Sequence, residues 1–259
     1  MAPCEAGYCR RGVAVGFLTI ISDVASFLMC IILDLDHGAR GEHPIRLIEM
    51  LSRDFIFWEV DVQRDFMLPG GKLYVPGAEK LVPNIERLTD AARRDNVLLV
   101  SSGDFHAAND PEFKQFPPHC VKGTTGAELL PEALAEKVVR VENMEGARIP
   151  EDISSYQQVV LEKQTLDVFE TLHADELVER LGSGAEFVVF GVATEYCVAC
   201  AVKGLLRRNR RVAVVRDAIE GLTPEAGART LAEFEQMGAR LVTTDEALAG
   251  VSEHPTRPW

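Results

Sequence analysis

The sequence predicts an α/β fold in which a mostly parallel, six-stranded sheet is flanked by helices on both faces. Three observations carry this expectation. Short β-rich apolar runs alternate with amphipathic stretches, the order expected of βαβ units. Several of the runs are apolar almost throughout, as strands covered on both faces are. At 259 residues, with 47% hydrophobic and 26% charged side chains, the chain can bury a substantial core as one domain plus an appendage.

The predicted strands are FIFWEV at 55–60, NVLLVSS at 96–102, QVVLE at 158–162, EFVVFGV at 186–192, RVAVVR at 211–216 and RLVTT at 240–244. The first predicted helix is AEKLVPNIERLTDAARR at 78–94, where Leu81, Ile85 and Leu88 recur at helical spacing and Pro83 sits in the first turns. ADELVERLG at 174–182, CVACAVKGLLRRN at 197–209 and PEAGARTLAEFEQMG at 224–238 follow the same pattern, with Gly182 and Gly238 as helix stops. The folded domain is read as residues 51–250, followed by a polar tail at 251–259.

The first fifty residues stand apart. Residues 12–33, GVAVGFLTIISDVASFLMCIIL, form an apolar run of bilayer-spanning length behind Arg10 and Arg11. Asp23 in mid-run, and the want of a clear small-residue cleavage site, weigh against an anchor or a signal peptide. The preferred reading is a poorly structured extension, with Met50 as an alternative start just ahead of the first strand. Membrane association through 12–33 is the rival.

Lys and Arg total 27 against 40 Asp and Glu, and the net charge of -13 argues against nucleic acid and anionic lipid surfaces as partners. Six cysteines, at 4, 9, 30, 120, 197 and 200, lack the density of a disulfide scaffold and fit free thiols in a reducing cytoplasm. Cys197 and Cys200 make a C-x-x-C. Val198 and Ala199 between them continue an apolar helix face, however, so a redox pair is the weaker reading and Cys200 is assigned to packing.

Open α/β sheets bind ligands at the carboxyl ends of their strands. Asp61 follows the first predicted strand, Asp104 and His106 the second, Lys163 the third and ATEYC the fourth. GVATEYCVACAVKGLL carries the chain from a buried strand into a helix and leaves Cys197 near the helix N-terminus, a place that favours thiolate and offers N–H groups to an oxyanion. Asp104, His106 and His119 supply oxygen and nitrogen ligands of the kind that hold zinc, iron or manganese. Glu112 is a further candidate ligand, with a surface carboxylate as the competing reading. Asp65 rivals Asp61 as a base, and Lys122 rivals Lys163 as the nearby cation.

The motifs DVQRDFMLPGGKLYVPGAE, GDFH, FPPHCVKGTTGAEL and GVATEYCV, in that order, resemble the nicotinamidase branch of the isochorismatase-like cysteine hydrolases over about residues 55–245. The resemblance implies a three-layer isochorismatase-like fold and a triad of Asp61, Lys163 and Cys197. It also implies an oxyanion hole from the backbone N–H groups of Ala193 and Cys197, with a cis peptide between Val192 and Ala193. One divalent metal ion, zinc first and iron or manganese next, would be held by Asp104, His106 and His119, between aromatic walls from Phe66 and Phe116.

The implied reaction is hydrolysis of nicotinamide to nicotinate and ammonia through a cysteine acyl-enzyme, as in NAD salvage. The alternative is another small amide or a carbamoyl compound. Phe116 stands where the family often has tryptophan, and QTLDVF after Lys163 departs from the family's tyrosine- and serine-bearing loop, so substrate identity is the least determined part. Hydrolysis of an enol ether, as by isochorismatases proper, fits poorly with a cysteine nucleophile beside a metal trio. A non-catalytic binding or redox protein is the remaining class. A cytoplasmic location is expected, and assembly into a homo-oligomer is left open.

Overall fold

The computed structural model describes residues 54–253, so the extension at 1–50, the apolar run 12–33 within it and most of the polar tail lie outside the described residues. The strands are β1 (Phe55–Val60), β2 (Leu98–Asp104), β3 (Val138–Val141), β4 (Gln158–Lys163), β5 (Glu186–Val192), β6 (Arg211–Glu220) and β7 (Arg240–Val242). All pair in parallel, in the order β3-β4-β2-β1-β5-β6-β7. The sheet therefore has seven strands where the sequence predicts six. The strand not foreseen, β3, is VVRV, four residues at the sheet edge bonded only to β4, of which Val141 alone is buried, too short and too open to leave a long apolar run.

The helices are α1 (Arg64–Met67), α2 (Val82–Arg93), α3 (Ala174–Arg180), α4 (Ala199–Arg207), α5 (Pro224–Gln236) and α6 (Thr244–Glu253). The predicted helix at 78–94 is split: Ala78–Leu81 is a 3₁₀ turn and α2 restarts with Pro83 in its first turn, where the missing N–H costs no helical bond. Gly182 and Gly238 end α3 and α5 in left-handed conformation, φ 76 and 97, as expected of helix stops. The strand predicted to reach 244 ends at Val242. From there Thr243 and Glu246 form a reciprocal cap, with Thr243 N–H donating to Glu246 Oε2 (2.7 Å) and Glu246 N–H to Thr243 Oγ1 (3.2 Å), and α6 follows.

Strand order reverses at β1. The crossover through α2 runs from β1 to β2 on one side, whereas α4 and α5 carry the chain from β5 through β6 to β7 on the other. Right-handed crossovers in opposite directions place helices on opposite faces, and the result is the expected three-layer architecture. The core between the layers is anchored by Trp58, Phe57, Phe187 and Phe190, all fully buried. Burying each is worth about 1.5–3 kcal/mol. Among the described residues no helix is long and apolar enough to cross a membrane.

Candidate active site

The reversal between β1 and its two neighbours opens a crevice at the carboxyl ends of the strands, and the sequence-predicted polar residues meet there. Asp61 follows β1 with φ 52, a left-handed conformation that Asp tolerates better than most residues. Its N–H donates to the Ser102 carbonyl at 2.8 Å, and its own carbonyl accepts from the Gln63 N–H, also at 2.8 Å. Asp104 ends β2 and Lys163 ends β4, and the parallel register sets these two residues side by side. Lys163 Nζ is fully buried, 2.5 Å from Asp104 Oδ1, 3.1 Å from Asp61 Oδ2 and 3.6 Å from Cys197 Sγ.

Cys197 lies in a single π-helical turn, Thr194–Val198, between β5 and α4, and not in the first turn of the α-helix itself. The turn begins at Ala193, after a cis Val192–Ala193 peptide, as the resemblance implied. Gly191 allows this approach. At φ 118, any Cβ there would strike the Val60 carbonyl at the end of β1.

Burial raises the Asp61 carboxyl from 3.8 to about 7, against the pull of Lys163. The expectation that Cys197 favours thiolate is overturned. Burial and the neighbouring Asp61 carboxylate push the thiol well above its ordinary value and outweigh Lys163. Resting Cys197 is therefore a thiol within reach of a carboxylate that can take its proton. Asp104 is held below the usual carboxylate range, because Lys163, His106 and His119 overcome the opposing effect of burial.

Asp104, His106 and His119 cluster, all buried, with one potential ligand atom of each within 4.8 Å of the others. His119 Nδ1 is 2.8 Å from the Pro117 carbonyl, which favours the proton on that nitrogen and leaves Nε2 to face Asp104 Oδ2 at 3.6 Å. His106 Nδ1 lies 3.2 Å from Asp110 Oδ2, while its buried Nε2 has no hydrogen-bond partner. Such an orphaned nitrogen, turned toward a carboxylate and a second imidazole, fits a divalent metal. Glu112 Oε2 approaches His106 Nε2 to 3.9 Å, so it stands at the rim of the same cluster.

Residues 57–145 and 134–246 match the isochorismatase domain family. The chain belongs to that family. It is 28% identical over 207 residues to a nicotinamidase of Escherichia coli K12, covering 71% of this chain and 92% of that one. To a nicotinamidase/pyrazinamidase of Mycobacterium tuberculosis it is 29% identical over 192 residues, 71% and 95% of the two chains. The crystal structure of a Pyrococcus horikoshii pyrazinamidase in complex with zinc superposes with a TM-score of 0.59 at 28% identity, covering 74% of this chain and 99% of that one. These relatives place the protein in the nicotinamidase branch of the isochorismatase family, as a hydrolase of amide C–N bonds.

In this isochorismatase-family site Asp61 and Cys197 of the candidate triad and Asp104 and His119 of the candidate metal cluster line one pocket, whereas Lys163 and His106 are outside its lining. Phe66, Phe116, Ala193, Glu112 and His119 line it beside Asp61, Asp104 and Cys197. Tyr74, Leu166, Tyr196 and Leu222 also line it and were not foreseen, because no local motif marks a residue that reaches a pocket only through the fold. The two rivals make other contacts. Asp65 binds loops together, accepting the N–H groups of Cys120 (2.7 Å) and Lys72 (3.1 Å), and Lys122 is paired near the surface with Glu142 and Glu162. Cys197, buried, and Cys200, partly exposed, are both free thiols, and no disulfide joins the C-x-x-C.

Gln63 was also missed. Fully buried, its amide nitrogen donates to the carbonyls of Asp104 (2.6 Å) and Ala127 (2.9 Å), and its amide oxygen accepts the Asp104 N–H (2.7 Å). It fixes the end of β2 against β1, and its place in DVQRDF was the available signal. Gln63→Leu leaves these backbone groups unpaired, so stability in urea is expected to fall by about 3 kcal/mol or more, together with retained metal content. An unchanged unfolding midpoint would refute this role.

Proposed function

We propose that the protein hydrolyses nicotinamide to nicotinate and ammonia, using Cys197 as nucleophile, Asp61 as general base and acid, and Lys163 as the cation between them. The observation that carries this reading is the buried Asp61–Lys163–Cys197 constellation opening into the same pocket as the Asp104, His106 and His119 cluster.

Asp61 takes the thiol proton as Sγ bonds to the amide carbon, and the backbone N–H groups of Ala193 and Cys197, both on the pocket wall, receive the developing oxyanion. The C–N bond then breaks, and Asp61 returns the proton to the departing ammonia. Water, deprotonated by Asp61, attacks the thioester, and the carboxylic acid leaves as Cys197 regains its proton. Lys163 keeps the Asp61 carboxylate oriented and offsets charge on sulfur throughout. A divalent ion bound by Asp104, His106 and His119 would supply a Lewis-acidic contact for a ring nitrogen and so orient the amide. Zinc is the first choice, on the donor set and on the zinc-bound pyrazinamidase relative.

Incubation with nicotinamide at several metal loadings tests the proposal. Stoichiometric nicotinate and ammonia are expected, whereas no ammonia at any loading would reject it. Hydrolysis of another small amide or a carbamoyl compound is the second reading, favoured by Leu166 of the divergent QTLDVF segment lying on the pocket wall.

The pH dependence follows from Asp61. The base must be ionised, and with its carboxyl raised to about 7 the ionised fraction falls as pH drops. We expect kcat/KM to decline about tenfold per unit on the acid side of a midpoint at or below 7, a cation at the neighbouring cluster moving it downward. A flat profile between pH 5 and 8 would count against Asp61 as base.

A further inference from the structure

The pocket changes character from floor to mouth. Its charged and imidazole side chains, Asp61, Asp104, His119 and Glu112, all belong to the reacting or metal-holding end, and the first three are almost wholly buried. The mouth is lined instead by Leu73, Tyr74, Leu166, Tyr196 and Leu222, none of them charged. Tyr74 presents only its ring, because its hydroxyl donates to Glu79 Oε2 at 2.5 Å and accepts the Gly77 N–H at 3.0 Å.

Leu222 is 45% exposed and Tyr196 38%, among the most exposed large apolar side chains of the described residues. Scattered exposed leucines are ordinary. This one is held in place. Its N–H donates to Glu195 Oε1 at 2.8 Å, from the turn that carries Cys197, and Thr223, the next residue, caps α5 by accepting the Ala226 N–H at 3.2 Å. Gly221, the residue before it, lies so close to Glu195 that a Cβ there would meet the carboxylate. The extension of β6 to Glu220, beyond the predicted end at 216, brings this loop to the pocket.

Resting on the amide-hydrolase reading of the same site, we infer that the preferred substrates are neutral aromatic amides whose ring carries an apolar substituent directed to the mouth, with Leu222 and Tyr196 determining that specificity and Glu195 positioning Leu222. The lining fits this class, because the mouth offers leucine side chains and tyrosine rings to an apolar group. An anionic substituent would lose its hydration there without gaining a cation.

The test compares kcat/KM for ammonia release from nicotinamide and from nicotinamides bearing methyl, phenyl or carboxylate at each free ring carbon. At least one methyl or phenyl derivative is expected to match or exceed nicotinamide, and every carboxylate to fall at least 100-fold below it. Leu222→Ser should lower the ratio of the preferred apolar derivative to nicotinamide about tenfold, the scale set by apolar contacts of this size. Glu195→Ala should reproduce that loss. Glu195→Gln keeps an acceptor for the Leu222 N–H and should restore the ratio, and Met237→Ser, exposed outside the pocket lining, should leave it unchanged. If nicotinamide is hydrolysed but Leu222→Ser leaves the ratio alone, or apolar derivatives are all rejected, the inference falls and the hydrolase reading stands. If no aromatic amide releases ammonia, both fall.

Discussion

Cys197→Ala is expected to reduce ammonia release from the best amide substrate by about 10⁴-fold or more, the scale of loss when the nucleophile of a coupled catalytic group is removed. Sγ is the atom on which the acyl group would be carried, and no neighbouring side chain can take its place: Cys200 is a turn away in α4, and Cys120 is buried and driven further from ionisation by burial. Removing one sulfur from a small, buried side chain perturbs packing little, so the melting temperature should stay near wild type. Cys200→Ala serves as the comparison and should retain activity within about threefold. Residual activity of Cys197→Ala within tenfold of wild type would dispose of the covalent mechanism, and an equal loss in Cys200→Ala would revive the redox pair.

Lys163→Met should be the most destabilising single change in the site. The ammonium is fully buried and bridges Asp61 and Asp104, so its removal leaves two buried carboxylates facing each other without a counterion. Breaking a buried pair in this way costs about 3–5 kcal/mol, or a fall in melting temperature of roughly 10 °C for a domain of this size. The pH dependence identifies the cause. Without Lys163 the Asp61 carboxyl, already raised in the folded protein, is pushed higher still and Asp104 loses the cation that holds it down, so folding comes to favour their protonated forms, a contribution present below the unfolded carboxylate range and lost as pH increases. The deficit relative to wild type should therefore be largest above pH 7 and shrink toward pH 4. Melting curves across that range decide the matter, since a deficit independent of pH would mean lost packing and not exposed charge.

Much of the site was legible in local sequence because strand ends are locally readable. Apolar runs at β1, β2, β4 and β5 each stop at or within two residues of a polar side chain, and the sheet carries all four ends to one crevice. The elements that escaped notice had weaker signals. β3 is a four-residue edge strand, and α6 was hidden by reading Thr243 and Thr244 as strand although Thr243 and Glu246 have capping-box spacing. Gln63 was passed over because a glutamine in a loop motif carries no evident chemistry until its three partners are seen.

The sequence by itself determined the α/β class, the residue types at each strand end and the donor set for a metal, because hydrophobic period and ligand chemistry are properties of neighbouring residues. Tertiary structure alone decided the protonation of the site and the shape of its mouth. Lys163 meets Asp104, 59 residues away, only through the β2–β4 register, and Cys197 remains a thiol only because folding buries it beside Asp61. Charge interactions and burial depend on distances through space, and those are set once the sheet has assembled.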